Sequence, residues 1–481
     1  MKTRSNRLNN GYIGETFLDN SHYGILPLNK HTTEWSRPTD WLPLPSMVEG
    51  DSKIAGLVAV YPGNTESTGI TASSNFVAFT VYGDYVVDWG DGTTASYSSG
   101  VTASKQYLWE GASASTVTSY GFRQRVFQIT PQGAVSVPGP SPLEGVTAGL
   151  TRANFVAYYP GVTLQTTYFS PILDLKISGA SLAIINPPVG IVQFEYVSDS
   201  AIATGASMFS GCGTLSRVIG TSWTKNCNDF SNMFRSCNSL QTVPLFNTAN
   251  VTNFTSTFQG CNSLRTVPLF NTANVTKFTS MFNGCTSLRT VPLFNTANVT
   301  NFTSMFQGCT SLQTVPLFNT PVATAFPNMF NGCTSLQTVP LFNTTIANSF
   351  TSMFNGCTSL QTVPLFSTAT VLFFTSMFNG CTSLQTVPLF NIVTGSAPLF
   401  TTMFSGCVNL KSAALNATTN NQGRSISYAN CALSAAELNR IFTYLGSGVS
   451  GSSTITITGN WGADTCNRSI ATAKDWTVTE V

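Results

Sequence analysis

Asn283–Phe306 reads NGCTSLRTVPLFNTANVTNFTSMF, and near copies of this stretch follow one another through the second half of the chain. The cysteines mark the step: Cys237, Cys261, Cys285, Cys309, Cys333, Cys357 and Cys381 are each 24 residues apart, and Cys407 and Cys431 follow after steps of 26 and 24. A fixed period of this length, with apolar residues at fixed phases, is the signature of a solenoid whose coils stack and bury one another. Within one coil the expected core set is Cys285, Leu288, Val291, Leu293, Val299, Phe302, Met305 and Phe306. Pro292 and its equivalents each remove one donor from an inter-coil ladder, so the strands are expected to be short. Asn295 follows the strand, where its amide can bond the turning backbone of its own coil and the next.

Composition narrows the function classes. Of 481 residues only 9% are charged, and the net charge is +2, against about a quarter charged in an average domain. A chain like this has no electrostatic footprint for nucleic acid or anionic lipid. Between Cys237 and Glu437 there is no acidic residue, and the bases are Arg265, Lys277, Arg289, Lys411 and Arg424. The outer face of the coils must therefore be Asn, Thr, Ser and Gln, which suits hydrogen bonding to sugars or dry packing against protein. No stretch reaches the roughly 20 apolar residues of a membrane span. The opening MKTRSNRLNNGYIGETF lacks the apolar run of a secretory signal, so the expectation is folding in a reducing compartment with free thiols.

Little here points to chemistry. His22 and His31 are the only histidines and lie far from the cysteines in sequence, which leaves a Cys–His nucleophile without a base. No CxxC occurs, so no zinc site is expected. A column of cysteines reads as small buried hydrophobes, an inert thiol ladder. A carbohydrate-active enzyme would need a carboxylate pair outside the repeats, such as Asp174 and Glu195. The expectation is no catalytic residue, no metal and no cofactor.

The chain divides as follows on composition. Residues 1–50 are an extended docking arm, in which Trp35, Trp41 and Leu42 are expected to meet another subunit because the tryptophans would otherwise be exposed. Residues 51–137 show period-two strands and turn signals, a small β-sandwich. Residues 138–205 are a linker and N-terminal solenoid cap, 206–433 the solenoid, and 434–481 a C-terminal cap. That cap opens on Ser434-Ala-Ala-Glu437, a capping box, with Leu438, Ile441, Phe442 and Leu445 at helical spacing.

The coils differ where Thr-Ala-Asn-Val-Thr-Asn is replaced after the strand. Val322, Ile346, Leu372 and Phe373 fall there and form a candidate recognition patch, apolar and facing outward. A local repacking that tucks Leu372 and Phe373 inside is the rival reading.

Three stretches carry resemblances. Val87-Asp-Trp-Gly-Asp-Gly-Thr93, followed by Tyr107 and Gly121–Ile129, is similar to the PKD-type, immunoglobulin-like domain. The resemblance implies that Asp88, Gly90, Asp91 and Gly92 build a structural turn, the aspartates capping backbone amides, as their chemistry also predicts. The repeated MFxGCxSLxxVPLFxT resembles BspA-like leucine-rich repeats. The order of parts, with GYIG and RPTDWLPLP ahead of the WGDG sandwich and GNWGADTCNRSIATAKDWTV at the end, resembles virion structural proteins of tailed bacteriophages. That resemblance implies a non-enzymatic tail or capsid appendage, assembled in the host cytoplasm. The arm would hold it to other virion proteins, as a homo-oligomer on the particle, and the solenoid would face a host-surface protein, a glycan or neighbouring subunits. The alternatives are a bacterial cell-surface adhesin and a carbohydrate-active enzyme.

Overall fold

Short apolar-polar alternation and a long repeat build two different bodies. In the computed structural model the described residues are 36–48, 51–61, 75–132, 152–155, 172–178, 184–187, 190–197, 202, 204–392, 399–417 and 425–480. They fall into two units, Met1–Cys227 with Cys237–Asn247, and Asn228–Ser236 with Thr248–Val481. The chain is mainly β.

The first unit holds β1 (Lys53–Val60), β2 (Phe76–Tyr82), β3 (Tyr85–Asp88), β4 (Thr94–Tyr97), β5 (Thr102–Gln106), β6 (Arg123–Pro131), β7 (Arg152–Asn154), β8 (Ile172–Ser178), β9 (Ile184–Asn186), β10 (Gln193–Tyr196) and β11 (Arg217–Ile219). One sheet runs β11-β10-β8-β1-β6-β3-β4, the other β5-β2-β7-β9. Phe79 of the second sheet stacks on Phe127 of the first at 5.3 Å between ring centres and lies against Trp89 and Phe155, each at 5.6 Å. This aromatic contact places the core between the sheets.

β8 is the pivot of the larger sheet. It pairs antiparallel with β1, as Gly56 with Leu175, and parallel with β10, as Phe194 with Leu175. β10 then pairs parallel with β11. A single sheet thus passes from antiparallel sandwich strands to parallel, coil-type strands, and it runs on past residue 137, where composition marks a change.

Residues 36–48 lie on this sheet. Arg37 Nε donates to the buried Asp174 carboxylate at 2.7 Å, while its other nitrogens donate to the Trp41 and Leu42 carbonyls. Leu42 N–H donates to Gln124 Oε1 at 2.7 Å, and Gln124 Nε2 donates to the Asp40 carbonyl at 2.8 Å. Trp41 is buried among Leu57, Ala59, Phe122, Leu173 and Val192, with Leu42 packed at the edge. The docking role expected of Trp41 and Leu42 is therefore corrected: both are committed to their own chain, because the Arg37–Asp174 pair pulls the segment onto the sheet. Trp35 lies outside the described residues.

In the second unit, parallel bridges join Asn253 to Lys277, Lys277 to Asn301, Asn301 to Ala325, Ala325 to Ser349 and Ser349 to Phe373. The densest bonding lies in the turn segment. The N–H groups of Phe302, Ser304, Phe306 and Gly308 donate to Ala325, Pro327, Met329 and Asn331 of the next coil at 2.7–3.0 Å. Between them Met305, Gln307 and Cys309 donate three residues back within the coil. Such alternation needs residues of opposite hand. Ser304 at φ 56° and Gly308 at φ 72° supply them, and the Ser or Asn and the Gly recur at these two places in coil after coil.

The interior is columns of phenylalanine. Phe258, Phe282, Phe306, Phe330, Phe354 and Phe378 form one continuous stack, with ring centres 5.6–5.7 Å apart and planes within 6°. Phe270–Phe294 and Phe318–Phe342–Phe366 stack at 6.2–6.4 Å. Thr272, Thr296, Thr320 and Thr344, all buried, donate to the backbone carbonyl of the following coil.

Leu293, expected in the core, is 59% exposed, and Phe294 takes the interior place instead. The cause is local. Phe294 N–H donates to the Pro292 carbonyl at 3.0 Å, a three-residue turn with Leu293 at its apex. The same bond closes over Leu269, Leu341 and Leu365.

The unit closes with β12 (Phe390–Ile392), β13 (Leu415–Ala417), β14 (Ser425–Ser427), β15 (Thr454–Thr456) and β16 (Thr477–Thr479), and with helices α1 (Ala435–Tyr444) and α2 (Ser469–Thr472). Ser434 Oγ accepts from Glu437 N–H at the start of α1, and Leu438, Ile441 and Phe442 face inward. Lys474 Nζ donates to the carbonyls of Phe442, Thr443 and Leu445 at 2.6–3.1 Å, a cation on the negative end of the helix.

Candidate functional site

The outward face of the coils is an array of columns, each holding one side chain per coil. Gln313, Gln337, Gln361 and Gln385 are exposed, and the backbone N–H of each of the last three donates to the carbonyl of the one before it, at 3.1–3.4 Å. Thr310, Thr334, Thr358 and Thr382 repeat the pattern through their hydroxyls at 3.2–3.3 Å. Asn295 Oδ1 accepts from Ala297 N–H in its own coil, while Asn298 Nδ2 reaches the Ala273 carbonyl of the coil before. The polar columns hold the coils in register and present a regular surface without carboxylates, on which Arg265 and Arg289 take the first places of the Gln column within the second unit.

Two apolar features break it. Val322 and Ile346 are 40% and 46% exposed and occupy one column, at the corner held by Asn298 in the coil before. Phe373 is 42% exposed but belongs to a different column, bridged to Ser349 and Leu399. Leu372 is half-buried, and its N–H donates to the Asn348 carbonyl. The second feature is the leucine column, Leu269, Leu293, Leu317, Leu341, Leu365 and Leu389. Sequence reasoning missed it, although a signal was present: adjacent Leu-Phe residues in extended backbone point to opposite sides, so one had to face out.

Cysteine thiols line the opposite, inner side. Each Sγ donates to a phenylalanine carbonyl of the preceding coil, as Cys309 to Phe282 and Cys333 to Phe306, both at 3.0 Å. Burial pushes Cys285, Cys333, Cys357 and Cys381 well above the ordinary thiol range. Neutral thiols with a fixed acceptor are poor nucleophiles.

In the first unit the WGDG turn is built by its carboxylates. Asp88 accepts from Gly90 N–H at 2.9 Å, and Asp91 accepts from Thr93 N–H at 3.0 Å and from its hydroxyl at 2.6 Å. Lys105 pairs with Asp91 at 2.6 Å. Partial burial alone would raise the Asp91 carboxyl, but the Lys105 and Thr93 bonds outweigh it and bring it down to about 2. Gly90 sits at φ 71°, and a Cβ there would clash with the Val126 carbonyl. Gly92, at φ 89°, has open space around it.

Asp174 and Glu195 each have a cationic partner. Asp174 is bound by Arg37, and Glu195 by Lys176 at 3.1 Å. Burial raises the Asp174 carboxyl above its usual range, although Arg37 and Gln193 oppose the shift. Among the described residues there is no group of three or more His, Cys, Asp or Glu side chains placed to hold a metal ion, and no helix is long and apolar enough to cross a membrane.

The coils match the family described as "Mycoplasma protein of unknown function, DUF285" over residues 203–316, 228–339, 256–363 and 324–429. The same family fits in four overlapping places, the behaviour of a repeat. Among solved structures, the chain is similar to a leucine-rich repeat protein from Eubacterium ventriosum, at 13% identity and a TM-score of 0.27, over 54% of this chain and 90% of that one. It is also similar to TLR13 in the TLR13–ssRNA13 complex, at 13% identity and a TM-score of 0.25, over 64% and 53% of the two chains. A third is the plant peptide hormone receptor RGFR1 in complex with RGF2, at 11% identity and a TM-score of 0.23, over 62% and 61%. The chain spans about half the length of the TLR13 chain. No curated protein matches it.

Proposed function

We propose that this chain is a non-enzymatic structural protein of a tailed-bacteriophage virion, a tail or capsid appendage that displays a leucine-rich-repeat solenoid of 24-residue period as a recognition surface. The observation that carries the reading is the outward face itself. Gln, Thr and Asn columns without a carboxylate repeat coil by coil, while the buried thiols and the Asp174 carboxylate are each held by a fixed partner. A surface of that kind supports many weak, identical contacts, and copies on one particle multiply them by avidity. In this reading the first unit is a PKD-type, immunoglobulin-like spacer, and residues 1–35 attach the protein to other virion proteins. Val322, Ile346 and Phe373 vary the surface toward a host protein or glycan.

Deleting residues 1–34 tests it, because the cut spares the Arg37–Asp174 lock. The appendage reading expects a folded, soluble chain that no longer joins particles in a complementation assay. Incorporation at the full-length level would sink it.

A second reading, a bacterial cell-surface adhesin, is favoured by the family match, whose description names Mycoplasma. Recovery of the native protein from cell envelopes without particles would support that reading over the first.

A further inference from the structure

We infer that the exposed leucine column is the face through which two copies of this chain pair, antiparallel, about a two-fold axis crossing the column between Leu317 and Leu341. The inference rests on the coil geometry alone and stands whichever surface displays the protein.

The column follows from the apex turn. Leu269, Leu293, Leu317, Leu341 and Leu365 are 55–59% exposed and Leu389 is 37% exposed, each preceded by a half-buried proline that offers no N–H. Coils at the inter-strand step set successive leucines about 5 Å apart, so the six make a ridge about 25 Å long. The leucines alone expose on the order of 600 Å² of apolar surface. That is at the upper end of the largest patch on a typical monomer and approaches the roughly 800 Å² each partner brings to a stable interface.

Periodicity identifies the occupant. A partner that meets every leucine must carry an apolar group at the same step, and a second copy carries that step by construction. Nothing opposes the approach, since no carboxylate occurs between Cys237 and Glu437.

Polar neighbours set the orientation. Within the second unit, four residues before the leucine stands Arg265 or Arg289 in the first two coils, and Gln313, Gln337, Gln361 or Gln385 in the rest; Leu245, equally exposed, belongs to the first unit. A two-fold axis across the middle sets Arg289 against Gln361 of the second copy and Arg265 against Gln385. Each guanidinium then meets a neutral amide acceptor, and the two cationic ends lie at opposite ends of the pair.

The test is sedimentation of the full-length chain over a concentration series, with Leu317→Lys/Leu341→Lys and Val408→Lys alongside. The expected result is a monomer–dimer equilibrium that the double lysine variant weakens by about 100-fold, as two charges at an interface centre do. Val408→Lys, 50% exposed and off the column, should leave it unchanged. Thermal unfolding of all three should coincide at concentrations where the chain is monomeric, because the substituted side chains are then exposed. A wild-type chain that stays monomeric up to about 100 µM, or a dimer that survives both lysines, would overturn the proposal. The orientation has its own test. Gln361→Glu should tighten the dimer several-fold through Arg289, and no tightening would overturn the antiparallel arrangement.

Discussion

The two units solve the same problem, pairing the polar groups of a buried interior, in opposite ways. The first uses contacts that occur once. Arg37 meets Asp174 from 137 residues away, Tyr107 Oη donates to the Trp89 carbonyl, and Gln124 closes on Asp40 and Leu42. The second uses a few contacts many times: a stacked phenylalanine, a buried threonine and a thiol, each answering the coil beside it. Damage should therefore spread through the first unit as a cooperative loss, and stay local in the second, as nearest-neighbour stability implies.

The largest effect expected is for Phe306→Ala, which removes one ring from the middle of the stack. A loss of about 4 kcal/mol follows from the emptied volume. Hydrogen exchange should show protection falling in the coils around 282–330 while α1 keeps its own. Loss of protection throughout the second unit would break the comparison.

Arg37→Met comes next, at about 3 kcal/mol by denaturant unfolding near neutral pH, because it strands a buried carboxylate. The sign with pH is fixed by Asp174, whose folded pKa lies above its usual value. Stability from such a group is present at low pH and is lost as pH rises through the folded pKa. Removing Arg37 raises that pKa further, so the deficit of the variant should shrink on acidification toward pH 4. A deficit independent of pH would show that Asp174 does not carry it.

Asp91→Asn is smaller. The wild-type carboxyl, at about 2, contributes stability above its unfolded value near 4 that is lost as pH falls toward 2. Between pH 5 and 2 the wild type should lose on the order of 1–2 kcal/mol more than the variant, after allowance for solvent screening. The smallest effect is expected for Leu293→Ser, within about 0.5 kcal/mol in thermal unfolding at concentrations where the chain is monomeric, since the side chain is then exposed. A cost of several kcal/mol would return Leu293 to the core.

How much of this could be read in advance follows the same division. Repeating Phe positions, the α1 helix with its Ser434 cap and the absence of acidic residues on the coils are local or periodic, and the sequence shows them. Leu293 was misplaced because residue type alone puts leucine inside, whereas a turn closed by the Pro292 carbonyl puts it outside. Trp41 was misplaced for a different reason. Proline and turn formers around it describe an extended segment correctly, but what covers that segment depends on Asp174, far along the chain. The span of one sheet across residue 137 was hidden likewise, since β8 reveals its two neighbours only by pairing with both.

The coil-to-coil hydrogen bonds have a consequence for how this gene can change. Thr296 donates to the carbonyl of Asn319, and Thr320 to that of Asn343, through the same geometry. A coil removed whole, such as residues 285–308, would let its neighbours rejoin donor to acceptor with both ends of the stack unaltered. Recombination between near-identical repeats can therefore lengthen or shorten the protein one coil at a time, leaving each intermediate length a folded protein on which selection can act.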